Sequence, residues 1–77
     1  MKDYIIITFS TGKEDEVDLK VPVFVKVHEL ITMLSEGLGI PAGPESRLQA
    51  EPLGRLLDNK LTLEQEGVAH GALLTLI

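Results

Sequence analysis

Residues 61–77, LTLEQEGVAHGALLTLI, contain the most informative pattern in the sequence. A short connector anchored by leucines leads through a Gly-containing turn into an alternating apolar segment. In that segment Leu74 and Leu76 fall on one face of a strand, and Leu73 and Ile77 fall on the other. The pattern predicts one tight helical turn followed by a final β-strand.

The N-terminal part of the chain predicts a β-hairpin. Residues 4–10, YIIITFS, and residues 17–21, VDLKV, both alternate and are rich in β-branched side chains. The polar segment between them contains a glycine, and Pro22 ends the second strand because proline has no N–H for the ladder. One face of the hairpin is expected to be buried. The inward residues would be Ile5, Ile7, Phe9, Val17, Leu19 and Val21.

A helix is predicted next, over residues 26–37. Apolar residues recur there with the spacing of an amphipathic helix. They are Val27, Leu30, Ile31, Leu34 and Leu38. Gly37 and Gly39 are expected to end the helix. No Ser, Thr, Asp or Asn stands at the N-cap position, so packing of residues 23–25 should fix the start instead.

The second half repeats the first in a weaker form. Residues 47–51 alternate, residues 52–54 form a turn, and residues 55–57 form a short strand. The order is then hairpin, helix, short hairpin, helical connector and final strand. This order predicts an α+β domain over residues 1–77, in which a mixed sheet of four to five strands packs on one helix.

Composition excludes several classes of function. The net charge of −5 argues against a nucleic-acid partner, because phosphate binding requires clustered Lys and Arg. The chain has no Cys, its start lacks a signal peptide pattern, and no apolar run is long enough to span a membrane. We therefore expect a cytoplasmic protein that does not insert into a membrane.

Motifs for catalysis, metals or cofactors are weak. His28 and His70 are the only histidines, far apart in sequence, and a zinc site requires three or four ligands. The acidic residues 14–16 lie in a predicted hairpin loop, where charges are usually solvated. The glycines after the helix lack the context of a phosphate-binding loop. We expect no enzyme activity, no metal and no cofactor.

The order of the elements and the pattern of residues 61–77 resemble the ubiquitin-like β-grasp fold. Residues 18–40 and 54–77 resemble more closely the bacterial ubiquitin-like family of EsaB and YukD, small accessory proteins of type VII secretion systems. The resemblance implies a non-catalytic, non-conjugating adaptor or regulator. Its partner would be a protein, such as a cytoplasmic domain of a membrane component of the secretion machine.

The alternative within this fold is a sulfur carrier or protein modifier. Such proteins act through a flexible C-terminal Gly-Gly, whereas the sequence given ends in Leu76 and Ile77. We therefore expect neither conjugation nor sulfur carriage.

The outward residues of the sheet are the candidate binding surface. In a β-grasp the first and last strands are neighbours, so Tyr4, Ile6, Leu73 and Ile77 should come together, flanked by Glu51 and Gln49. The positions that match ubiquitin's apolar patch would be Ser10, Glu51 or Gln49, and Ile77. Only Ile77 is apolar, so receptors of that patch are not expected to bind. Scattered exposed aliphatic residues are common, which is the alternative explanation.

Phe24 is the other candidate for binding. It lies between the second predicted strand and the helix. The alternative is that Phe24 packs against the start of the helix and has a structural role only.

Overall fold

The computed structural model describes residues 3–13 and 15–77. The α+β order predicted from the sequence is confirmed, and Glu14 of the acidic loop lies outside the described residues. The elements are β1 (Tyr4–Ser10), β2 (Val17–Pro22), α1 (Val27–Leu38), β3 (Leu48–Glu51), β4 (Arg55–Leu56), α2 (Leu63–Glu66) and β5 (Leu73–Leu76).

The five strands form one mixed sheet in the order β2-β1-β5-β3-β4. The central pair, β1 and β5, is parallel, with Thr8 opposite Leu73. The other neighbouring pairs are antiparallel. The first and last strands of the described residues are therefore adjacent, as the resemblance to the β-grasp fold implied.

The core lies between one face of the sheet and α1. Strand alternation sends every second side chain of β1 into it, and the 3.6-residue period does the same for α1. The largest fully buried side chains are Phe9, Ile7, Leu30, Leu48, Leu57, Leu63, Leu74 and Val27.

Burial along β2 is less complete than the alternation predicted. Val21 is buried and Leu19 is half-buried, but Val17 is 39% exposed. Because β2 is one of the two edge strands of the sheet, its side chains have a neighbouring strand on one side only. The alternating pattern gives the direction of these side chains but not how well they are covered.

The start of α1 is held by the second half of the chain. Its N-cap is Lys26, which makes no side-chain cap hydrogen bond. Instead the N–H of Val27 donates to the carbonyl of Leu61 at 2.8 Å, and the N–H of His28 donates to the carbonyl of Asn59 at 3.2 Å. These bonds satisfy amides that every helix start leaves without an intrahelical partner. Packing of residues 23–25 is therefore only part of what fixes the start.

The end of α1 is fixed by one glycine. Gly39 has φ of +67°, in the left-handed region, and its N–H donates to the carbonyl of Ser35. Gly37, which was also expected to end the helix, lies inside it. A residue without a Cβ adopts the left-handed conformation at no steric cost, so Gly39 is the stop.

Candidate protein-binding surface

The face of the sheet that points away from α1 carries the predicted candidates. Tyr4 and Ile6 of β1 lie on this face, and they are 47% and 38% exposed. Their neighbours in β2, in register, are Pro22 and Lys20. This end of the sheet is where large exposed side chains are concentrated on adjacent strands.

Phe24 joins Tyr4 at this end of the sheet. The two rings meet edge to face, with centroids 5.7 Å apart and planes at 87°. The ammonium of Lys20 lies 5.5 Å from the centroid of the Tyr4 ring, within the range of a cation–π contact. We call the surface formed by Tyr4, Ile6, Lys20 and Phe24 the aromatic corner.

The backbone around Phe24 explains its position. The N–H of Val23 donates to the carbonyl of Asp3 at 2.9 Å, which ties the connector to the start of β1. Val23 is buried, whereas Phe24 is 55% exposed. The ring of Phe24 therefore contacts Tyr4, and its packing against the start of the helix stays a prediction.

His70 forms a hydrogen bond with the backbone of Ile6 on the β5 side of β1, next to the aromatic corner. The N–H of Ile6 donates to Nδ1 of His70 at 3.1 Å, and the N–H of Gly71 donates to the carbonyl of Ile6 at 2.7 Å. Because Nδ1 accepts this hydrogen bond, it carries no hydrogen of its own, and the imidazole has its hydrogen on Nε2. The turn before β5 is thereby fixed beside Ile6. Sequence reasoning missed this role of His70.

The register does not bring all the predicted residues together. Leu73 lies opposite Thr8, two residues along β1 from Ile6, and is half-buried. Ile77 lies four residues further on, so it is about 20 Å from Ile6 along the strands at 3.3 Å per residue. The expectation that Tyr4, Ile6, Leu73 and Ile77 form one cluster is therefore wrong for Ile77.

Glu51 lies on β3, on the far side of β5 from Ile6. It is opposite Leu73 in the register, and its carboxylate accepts a hydrogen bond from the Gln49 side chain at 3.4 Å. Ser10, at the first position that matches ubiquitin's patch, is buried, and its hydroxyl accepts the N–H of Gly12 at 3.0 Å. Ser10 therefore shapes the first loop and is closed to a receptor.

Ile77 belongs to a second, separate apolar spot. Ile77 is 66% exposed and Leu56 is 41% exposed. Both line a shallow groove with Pro44 and Arg47, and the backbones of Arg47 and Ile77 exchange two hydrogen bonds. Sequence reasoning did not single out Leu56, because a two-residue strand carries no readable alternation.

In the acidic loop, Asp15 is engaged in a local hydrogen bond. The hydroxyl of Thr11 donates to Asp15 at 2.6 Å, and this hydrogen bond is the main cause of a lowered pKa of Asp15. Over residues 3–13 and 15–77, no group of three or more His, Cys, Asp or Glu side chains is placed to hold a metal ion. In the same part of the chain, no helix has the length and apolarity needed to cross a membrane.

Comparisons with known proteins agree with this architecture. The family model described as YukD, a protein of the WXG100 protein secretion system (Wss), matches residues 4–76. No curated protein matches the sequence.

Solved structures share the fold. The ubiquitin-like domain of the Mycobacterium tuberculosis type VII secretion protein EccD1 is 27% identical, with a TM-score of 0.66, and the match covers 96% of this chain and 97% of that one. A protein designed on the basis of ubiquitin is 25% identical, with a TM-score of 0.78 and coverage of 100% and 90%. A chain from a structure described as molecular mimicry of SUMO that promotes DNA repair is 18% identical, with a TM-score of 0.82 and coverage of 100% and 94%. The fold is the ubiquitin-like β-grasp.

Proposed function

The chain belongs to the YukD family of the WXG100 protein secretion system, and we propose that it acts there as an adaptor that binds another protein of the machine through its aromatic corner. The family and the fold link the chain to type VII secretion. The partner that fits this setting is a cytoplasmic domain of a membrane component of the machine, and the chain would then work in the cytoplasm without catalysing a reaction.

The observation that carries the proposal is the contact between Tyr4 and Phe24. Two aromatic rings stand against each other while about half of each side chain stays open to solvent. Aromatic residues are enriched at the centres of protein interfaces, where a second protein removes the remaining exposed area from water. Because the rings already support each other, little side-chain entropy is lost when a partner covers them.

The positive charge of Lys20 indicates which groups a partner's surface should present to the aromatic corner. Lys20 places an ammonium beside the Tyr4 ring on a chain whose net charge is −5. A partner that presents an apolar side chain to the two rings and a carboxylate to Lys20 would match both features. Opposite charges at the edge of an interface favour correct orientation and faster association.

The test uses two exposed apolar residues that the structure separates. Phe24→Ala removes the ring contact with Tyr4, whereas Ile77→Ala removes another exposed side chain, 66% exposed against 55% for Phe24, at the other end of the sheet. Individually purified cytoplasmic domains of the membrane components would be titrated with the wild type and both variants by calorimetry. We expect the affinity of one domain to fall by about tenfold or more for Phe24→Ala, as for a central aromatic contact, and to stay within about twofold for Ile77→Ala.

Folding of the variants is checked by thermal unfolding, which should change little because Phe24 lies outside the core. Equal binding by Phe24→Ala and wild type would refute the aromatic corner as the binding surface. Loss of binding by Ile77→Ala alone would assign the partner to the second apolar spot instead.

A further inference from the structure

The sheet has two edge strands, β2 and the two-residue β4, and β2 is the longer of them. Its one neighbour among the strands of the described residues is β1. The backbone groups on the other side of β2 are thus available to another strand, which is how edge strands associate.

The hydrogen bonds of β1 show which β2 residues face this edge. Ile6 and Thr8 direct their backbone groups toward the segment that leads into β5, so Ile5, Ile7 and Phe9 direct theirs toward β2. Their partners in the register are Val21, Leu19 and Val17. The alternate residues, Asp18, Lys20 and Pro22, therefore direct their backbone groups to the free edge.

The charges of the side chains along this edge are complementary to those of the same edge in a second copy of the chain. Asp18 and Lys20 point to the outer face of the sheet, on either side of Leu19. When two β2 strands pair antiparallel with Leu19 opposite Leu19, Asp18 of each copy lies opposite Lys20 of the other. The edge-facing backbone groups of the same two residues then exchange hydrogen bonds.

Charge also selects this register among its neighbours. A shift by two residues in one direction places Asp18 opposite Asp18 and brings Lys20 opposite Glu16, which lies just outside β2. A shift in the other direction places Lys20 opposite Lys20. Directly opposed like charges destabilise a strand pair, and opposite charges stabilise it. Pro22 limits the pairing at its end, because it brings no N–H to the edge.

The two charged side chains keep groups free for a second copy. One carboxylate oxygen of Asp18 accepts the hydroxyl of Thr8 at 2.8 Å, which leaves the other oxygen open. The ammonium of Lys20 approaches the Tyr4 ring and has three N–H groups, so it can contact the ring and a carboxylate together.

Apolar area beside the edge would be covered by the same pairing. Leu19, Met33 and Leu38 line a groove between β2 and α1, and Met33 and Leu38 are 48% and 42% exposed. Val17, 39% exposed, would lie opposite Val21 of the second copy. The face of the paired β2 strands that points toward α1 is therefore apolar, and the opposite, outer face carries the ion pairs.

We propose that this chain forms a symmetric dimer in which two β2 strands pair antiparallel about Leu19, joined by reciprocal Asp18–Lys20 ion pairs. The two sheets then form one continuous sheet. The small contact area predicts a weak dimer that forms at high protein concentration, and its exposed ion pairs make it weaker in high salt. The dimer does not use Phe24, so Phe24→Ala should leave it intact, but it shares Lys20 with the proposed partner site, and a partner that binds this ammonium would compete with dimer formation.

Charge reversal tests the register directly. Asp18→Lys and Lys20→Asp each replace two attractive pairs by two repulsive ones, so each should raise the dimer dissociation constant by about tenfold or more. An equimolar mixture of the two variants should form a heterodimer, because every Lys then faces an Asp. The double swap, Asp18→Lys with Lys20→Asp, should dimerise like the wild type. Sedimentation equilibrium at low salt measures all four.

Glu64→Lys and Lys60→Asp are the controls, since they change the net charge by the same amounts at exposed sites away from β2. They should dimerise like the wild type, and circular dichroism verifies that each variant is folded. The proposal is overturned by a wild type that stays monomeric up to about 1 mM, a concentration at which weak interfaces associate. A dimer that the single reversals leave unchanged, or a mixture that associates no better than either variant alone, overturns it as well.

Discussion

Lys26 and Thr62 stand opposite each other as an isolated antiparallel bridge, and each of them is the N-cap of a helix. The start of the long helix is thus joined by backbone to the start of the short one. Thr62 caps its own helix well, whereas Lys26 provides no cap of its own. The stability of the contact between the two helix starts therefore depends mainly on the cap that Thr62 provides.

Thr62→Ala should lower the free energy of unfolding by about 1 kcal/mol, the usual cost of losing a cap. The Thr62 hydroxyl accepts the N–H of Gln65 at 3.0 Å, and the Gln65 side chain accepts the N–H of Thr62 at 3.0 Å. Thr32→Ala, on the exposed face of α1, should change stability by less than about 0.5 kcal/mol. Urea unfolding compares the two, and equal effects would show that the capping box is not stabilising.

The two glycines near the end of α1 should respond in opposite directions to alanine. Gly37 lies inside the helix, and a Cβ there meets nothing within 4 Å, so Gly37→Ala should stabilise by about 0.5 to 1 kcal/mol. Gly39 has a positive φ, so Gly39→Ala should destabilise by about 1 kcal/mol or more. Thermal unfolding measures both shifts, and a stabilising Gly39→Ala would contradict the left-handed helix end.

Glu66 should make the protein lose stability in acid. The N–H of Asp58 donates to its carboxylate at 2.6 Å, and the Arg55 guanidinium lies 3.1 Å away. The Asp58 hydrogen bond first, and Arg55 next, hold the pKa of Glu66 below its ordinary value of 4.5. A carboxyl with a lowered pKa in the folded state stabilises the fold above its unfolded pKa, and this contribution is lost as pH falls through the folded value.

The measurement is the difference in free energy of unfolding between wild type and Glu66→Gln, at pH 7 and at pH 3. The wild type should be the more stable protein at pH 7, and the difference should shrink at pH 3. Glu64→Gln, an exposed residue of the same short helix, should show a much smaller change between the two pH values. A difference for Glu66→Gln that is independent of pH would contradict the assignment.

His70→Ala should expose the backbone of β1 beside the aromatic corner. It removes the acceptor of the Ile6 N–H, so this amide should exchange with solvent faster, and stability should fall by about 0.5 to 1 kcal/mol. Hydrogen exchange followed by NMR measures the effect, with the Thr8 amide, bonded to the Ala72 carbonyl, as internal reference. His28→Ala is the matched control, and similar exchange of Ile6 in both variants would refute the role of His70.

The fold was predictable because its signals are local. Alternation in β1 and the helical period of α1 need only neighbouring residues, and their order along the chain leaves few arrangements. The start of α1 was not readable, because the groups that satisfy Val27 and His28 lie some thirty residues away at Asn59 and Leu61. A helix without a capping residue gives no sign of which distant segment will replace it.

The binding surface was predictable only in part. Alternation correctly places Tyr4 and Ile6 on the outer face, but the position of Ile77 depends on the register between β1 and β5, which no local pattern encodes. Phe24 lies in a connector whose path is set by a hydrogen bond between Val23 and Asp3. Its contact with Tyr4 thus follows from tertiary structure.

The parallel pair at the centre of the sheet has a consequence for synthesis of the protein. β1 is the first strand to be translated and β5 is the last, yet they are direct neighbours. Until residues 73–76 have been synthesised, β5 cannot pair with β1. One edge of β1 therefore has no neighbouring strand, although the residues of the β1–β2 hairpin and α1 are already present. Because contacts between distant residues form slowly, the edge of β1 that β5 will cover keeps unpaired backbone groups until the last strand arrives, and an unpaired strand edge is where association with another chain begins.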